Sequence, residues 1–154
     1  MKGTGPEVTP MGTTTAGHGR IVPSPRTLGL AVGDLLLIAA FVVSGAVNHS
    51  GVEYVLARPL AVAETAAPFY LGWLAAAPLA GAYGRAALAG PRSAARAVAA
   101  AWIGAALIGQ LLRGTALFSG DLALPFVIVS LVVGLVLLVP WRLLPFAAAA
   151  FRRR

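Results

Sequence analysis

Residues Leu28–Val47 read LGLAVGDLLLIAAFVVSGAV, an apolar run broken by one charge, Asp34. At about 1.5 Å of rise per residue a helix of this length crosses a hydrocarbon core of about 30 Å. Three comparable stretches follow at Ala66–Tyr83, Ala94–Leu112 and Leu122–Trp141. In lipid the backbone must satisfy its own hydrogen bonds, which leaves helices or a closed barrel. The runs are continuous rather than alternating, so helices are expected, in an all-α bundle of four transmembrane spans. Short connections make sequential helices antiparallel neighbours. The first stretch is not a signal peptide: it follows a tail of nearly thirty residues and exceeds an h-region of about 7–15 residues.

Charge orients the bundle. Lys2, Arg20 and Arg26 precede the first span, Arg85, Arg92 and Arg96 lie around the second connection, and Arg142, Arg152, Arg153 and Arg154 close the chain. The other two connections hold only Arg58 and Arg113. The positive-inside rule then puts both termini in the cytoplasm. A net charge of +7 would point to nucleic acid in a soluble protein. Here the cations flank apolar spans, no basic stripe interleaves with aromatics, and the expected counterparts are anionic lipid headgroups at the cytoplasmic face. Hydrophobic residues are 58% of the chain and charged residues 11%, and cysteine is absent, which excludes disulfides and thiolate chemistry. Residues 1–26, rich in Gly, Thr and Pro, are expected to be a disordered cytoplasmic tail. Residues 27–146 form the membrane domain and 147–154 a basic tail. There is room for no separate soluble domain.

The breaks agree with this division. Asn48-His-Ser-Gly51 ends the first span, Gly84 to Pro91 separates the second and third, and Pro140 and Pro145 mark the end of the fourth. Pro68 is expected in the first turn of the second helix and Pro78 inside it, where it frees a carbonyl near Leu74. Small residues recur at four-residue spacing in Gly29 and Gly33, in Gly72, Ala76 and Ala80, and in Ala101, Ala105 and Gly109. Such faces let helices approach closely. Glu64-Thr-Ala-Ala-Pro68-Phe69 and Asp121-Leu-Ala-Leu-Pro125-Phe126 share an acid, three residues and Pro-Phe. Either two helical hairpins are duplicated, or two helix starts obey the same physics of acid and proline at a helix N-terminus.

Asp34 is the strongest functional hint. It lies about 9 Å inside the first helix by helical rise. An aspartate at such depth costs roughly 2.5–3.5 kcal/mol and must face the bundle and find a partner. Arg96 and Arg142 lie at comparable depth, and either can supply the guanidinium. An internal salt bridge, a proton or ion relay, and a protonated hydrogen-bonded aspartate are the three roles open to it. At the other mouth gather Asn48, His49, Glu64, Gln110, Arg113 and Asp121, a rim of both charge signs that Trp73 or Phe69 would close. His49 there is a helix-capping histidine or a proton handle. One histidine with scattered carboxylates makes no metal site, and no cofactor is implied. No phosphate loop, HExxH motif or clustered acid pair occurs, so no enzyme activity is expected.

With these residues in view the chain resembles the uncharacterised four-helix membrane proteins of actinobacteria and haloarchaea grouped as domain of unknown function 3054. The resemblance spans about Gly33 to Arg142. It rests on Asp34, Gly45, His49, Thr65, Pro68, Phe69, Gly72 and Trp73, on Arg113-Gly114-Thr115, on Phe126-Val-Ile-Val129, and on Gly134, Trp141 and Arg142. It implies a four-helix membrane fold and no activity. Members often carry a basic residue after the first-helix glycine, where this chain has Ala46.

Two functions fit these features in a bacterial plasma membrane. One is a small carrier or channel-like protein using Asp34 and the outer rim as its polar path. Four helices enclose little volume, so it would act as a homo-oligomer. The other is a non-transporting structural or accessory protein that binds other helices or lipids.

Overall fold

The computed structural model describes residues 21–118, 120 and 123–153. Among them there are six helices and no strand: α1 (Pro25–Ser50), α2 (Val52–Ala57), α3 (Pro59–Leu79), α4 (Arg85–Ala89), α5 (Pro91–Arg113) and α6 (Leu124–Phe151). Four of these, α1, α3, α5 and α6, are long and apolar enough to cross a membrane. They form a ring in which α1 packs on α3 and α6, and α5 packs on α3 and α6. Asp121 and Arg154 lie outside the described residues, as does the expected tail up to Arg20.

Capping explains most of the helix starts. Ser24 accepts a hydrogen bond from the Thr27 N–H at 3.1 Å and Pro25 opens α1. Pro59, Pro91 and Pro125 occupy the first turns of α3, α5 and α6, where a missing N–H costs nothing.

Three expected boundaries are corrected. The second span starts at Pro59 rather than 66, so Glu64 and Pro68 lie well inside α3. An acid followed by proline resembles a helix start, but the true start signal is Arg58-Pro59. The Glu64 and Asp121 segments are therefore not equivalent, because Pro125 does sit in the first turn of α6. The same span ends at Leu79 rather than 83. The fourth span does not end near Trp141: α6 runs through Pro140 and Pro145 to Phe151. Its last turns are carried by Ala147–Ala150, strong helix formers, and the 28 residues of α6 reach about 42 Å, beyond a hydrocarbon core of about 30 Å. The short helices α2 and α4 fall in stretches expected to be loops.

The centre of the ring is aromatic. Phe41 from α1, Phe69 and Trp73 from α3 and Trp102 from α5 are all buried, and Phe126 of α6 packs against them. Phe41 meets Phe69 and Trp102 edge-on at 5.4 and 5.7 Å between ring centres. Edge-to-face pairs of this kind add about 0.5–1.5 kcal/mol each beyond the area they bury. Glycines make room for this core. A Cβ on Gly134 would collide with the Trp102 indole, and one on Gly72 would collide with the Ala105 carbonyl oxygen. The small-residue faces expected on α3 and α5 thus meet each other, whereas Gly29 has nothing within 4 Å of its would-be Cβ.

Candidate functional site

Two polar regions lie on either side of the aromatic core. The first is built around Asp34. On α1 the buried residues Leu30, Asp34, Ile38, Phe41 and Val42 form one inward stripe. Gly33, beside Asp34, has no side chain, and the Trp141 indole occupies the space a Cβ would fill. This close approach of α6 to α1 delivers Arg142 to Asp34. The guanidinium donates Nε to Oδ1 at 3.0 Å and Nη2 to Oδ2 at 2.5 Å, a bidentate pair. Asp34 is 0% exposed and Arg142 2%, so the pair is dry.

The turn after α3 completes the network. Gly81 has φ 68, a left-handed conformation that glycine adopts without penalty. It closes α3 in a Schellman motif, with Ala82 N–H donating to the Ala77 carbonyl at 2.9 Å and Gly81 N–H to the Pro78 carbonyl at 3.1 Å. The reversed chain presents two groups to the pair. Arg142 Nη1 donates to the Ala82 carbonyl at 2.7 Å, and the Tyr83 hydroxyl donates to Asp34 Oδ2 at 2.7 Å. That hydroxyl in turn accepts from Trp73 Nε1 at 3.0 Å. The Arg142 guanidinium also lies 4.8 Å from the centre of the Tyr83 ring. Burial, and then the carboxylate beside it, push the Tyr83 phenol above its ordinary range, so it keeps its proton and remains a donor.

Of the two candidate partners, Arg142 pairs with Asp34 and Arg96 does not. Arg96 is exposed, because α5 buries the opposite face through Ala94, Val98, Ala101 and Ala105. Trp73 does not close the far mouth as expected; it turns to Tyr83 instead. Removing the Tyr83 hydroxyl alone should cost about 1–3 kcal/mol, since a buried Asp34 oxygen and the Trp73 N–H both lose a partner. Tyr83→Phe is expected to show this as a lower melting temperature in detergent, with Arg96→Gln within about 0.5 kcal/mol of the parent.

The second region is the far mouth. A cavity of about 370 Å³ is lined by residues that include His49, Tyr54, Thr65, Arg113 and Phe126. The Arg113 guanidinium lies 5.0 Å from the Phe126 ring centre. Asn48 joins His49 in a neighbouring groove rather than in this cavity. Glu64 is exposed on α3, and both Glu64 and Arg113 have partners of their own. Gln110 departs from the expected rim: it is buried, and its Nε2 donates to Ser130 Oγ at 3.1 Å. The rim of six thus resolves into His49 and Arg113 in one cavity, Asn48 beside them, Gln110 in the core and Glu64 at the surface. Asp121 lies outside the described residues. Among the described residues no three His, Asp or Glu side chains stand close enough to share a metal ion.

Residues 31–145 match the family described as protein of unknown function, DUF3054. The chain belongs to that family. The match takes in the whole Asp34–Arg142 network and the far-mouth cavity, so both lie within the DUF3054 region rather than in appended segments. No curated protein matches the chain, and no solved structure does.

Proposed function

We propose that this DUF3054 protein is a non-conducting accessory protein of the bacterial plasma membrane, without enzymatic activity, which holds lipids or partner helices at its surface. One observation carries the reading: the section between its two polar regions is filled. Phe69, Trp73 and Trp102 are at most 1% exposed there, and Asp34 is closed off by a saturated ion pair. A relay group needs a water path to reach it. A carrier would have to route its cargo between protomers of an oligomer rather than through one ring.

Liposomes reconstituted with the purified protein are expected to show proton and potassium leakage no faster than empty liposomes. Asp34→Asn should lower thermal stability and leave leakage unchanged. Flux that is abolished by Asp34→Asn in a variant of unchanged stability would overturn the accessory reading.

The same reading has antiparallel neighbouring helices with both termini in the cytoplasm. Contacts at the Arg142 end favour it. Val22 N–H donates to the Tyr83 carbonyl at 3.1 Å, and the Arg26 guanidinium lies 5.3 Å from the Phe146 ring centre, drawing together the start of α1, the turn after α3 and the last turns of α6. Arg85, Arg92, Arg96, Arg152 and Arg153 are exposed and free to meet anionic headgroups of the inner leaflet. A reporter fused after Arg154 should be active only as a cytoplasmic fusion; activity of a periplasmic reporter there would reverse the orientation.

A further inference from the structure

The ring is not closed along its whole length. α1 and α6 meet at Gly33 and Trp141, but further along they leave a groove of about 630 Å³ between them. Phe41, Gly45 and Asn48 line it from α1, at three- and four-residue spacing, and Pro125, Val129 and Val133 line it from α6. By helical rise it runs about 12 Å along α6. Val129 is 51% exposed on its wall, so the groove opens sideways to whatever surrounds the bundle.

At its far end the groove joins the cavity of about 370 Å³, with which it shares Phe41, Gly45, His49 and Phe126. The cavity adds the Arg113 guanidinium and the hydroxyl groups of Ser50, Tyr54 and Thr65. No acidic residue among the described residues lines either space. Both volumes fall near the range of about 300–1,000 Å³ typical of ligand sites. An apolar slot therefore ends in a polar chamber with a permanent cation. The chamber lies by the last turns of α1 and α5, at headgroup depth for membrane-spanning helices, and the slot runs from there towards mid-helix. A lipid has the same order of parts along the same direction.

We propose that this slot and chamber bind an anionic phospholipid of the surrounding bilayer. Arg113 takes the phosphate, Thr65 and Tyr54 donate to its oxygens, and one acyl chain lies between α1 and α6. Guanidinium is the side chain best suited to a phosphate, which it can bind through two parallel hydrogen bonds. The uncharged, mostly apolar walls of the slot suit a hydrocarbon chain. This deepens the accessory reading and can fail without it, because a protein that binds no lipid here can still be shown non-conducting by the liposome assay.

The test uses the purified full chain in a neutral detergent, with native mass spectrometry after adding phosphatidylglycerol or phosphatidylcholine of identical chains. Phosphatidylglycerol should be retained about tenfold better, as a charge-assisted hydrogen bond allows. Arg113→Gln should bring the two lipids to near parity. Val129→Trp, which fills the slot, should lower phosphatidylglycerol retention about tenfold while the fold is kept by circular dichroism. Arginines at the other end also attract anionic lipid, so the Arg92→Gln/Arg96→Gln variant is the control and should keep the preference. If either site variant fails to fold, Val133→Cys in this cysteine-free chain supplies a second readout: phosphatidylglycerol should slow its labelling by a membrane-soluble maleimide, and phosphatidylcholine should not. Equal retention of both lipids, indifference to Val129→Trp, equal labelling in both lipids, or saturation by glycerophosphate alone would each overturn the proposal, the last by showing a free-phosphate site that needs no chain.

Discussion

Arg142→Ala is expected to destabilise the bundle by about 3–5 kcal/mol, the usual cost of leaving one member of a buried ion pair without its partner. Asp34 is 0% exposed, so water cannot replace the guanidinium, and the Ala82 carbonyl loses its donor as well. The effect should appear as a large fall in melting temperature in detergent or as failure to purify a monodisperse protein. An exposed pair would cost only about 0–1 kcal/mol, so the size of the loss itself reports how dry the site is. Arg142→Lys should recover little, because a single ammonium cannot span both Asp34 oxygens and the Ala82 carbonyl together.

The second large effect is expected from the smallest substitution. In Gly72→Ala the added Cβ would meet the Ala105 carbonyl oxygen, which is backbone and cannot swing aside. α3 and α5 must separate to admit it, and the separation would loosen neighbouring contacts: a Cβ on Gly104 would already lie 3.1 Å from Ala76 Cβ, and one on Gly109 3.0 Å from Phe69 Cδ1. Overpacking of this kind costs about 1–3 kcal/mol and sometimes more. Thermal unfolding of Gly72→Ala should therefore fall well below that of Gly29→Ala, where the space is open. Equal melting temperatures for the two variants would show that the α3–α5 contact is looser than its geometry requires.

Much of this was readable before any coordinates. Four apolar stretches gave the four long helices, because lipid imposes one length and one backbone solution. A lone aspartate in such a stretch has to be paired, which singled out Asp34. The choice between Arg96 and Arg142 depended on helical face rather than depth. Ala94, Val98, Ala101 and Ala105 follow the 3.6-residue period of a buried stripe, and Arg96 lies opposite them. That signal was present in the sequence. Tyr83 and Trp73 were harder to find, since their roles depend on the turn at Gly81, whose left-handed backbone ends α3 and brings Tyr83 back to Asp34. Glu64-Thr-Ala-Ala-Pro68 misled for a physical reason: helix starts and proline-containing helix interiors share composition, and only the tertiary contacts of α3 tell them apart. The groove between α1 and α6 had no sequence signature, because it exists only where two helices fail to meet.

The account turns on Asp34 and Arg142 being one dry structural unit, and a double-mutant cycle in detergent measures this directly. Asp34→Ala and Arg142→Ala should each cost about 3–5 kcal/mol, and the double variant should cost about 3 kcal/mol less than their sum. Costs that add to within about 0.5 kcal/mol would mean that the two residues act independently, and the bundle described here would lack its central fastening.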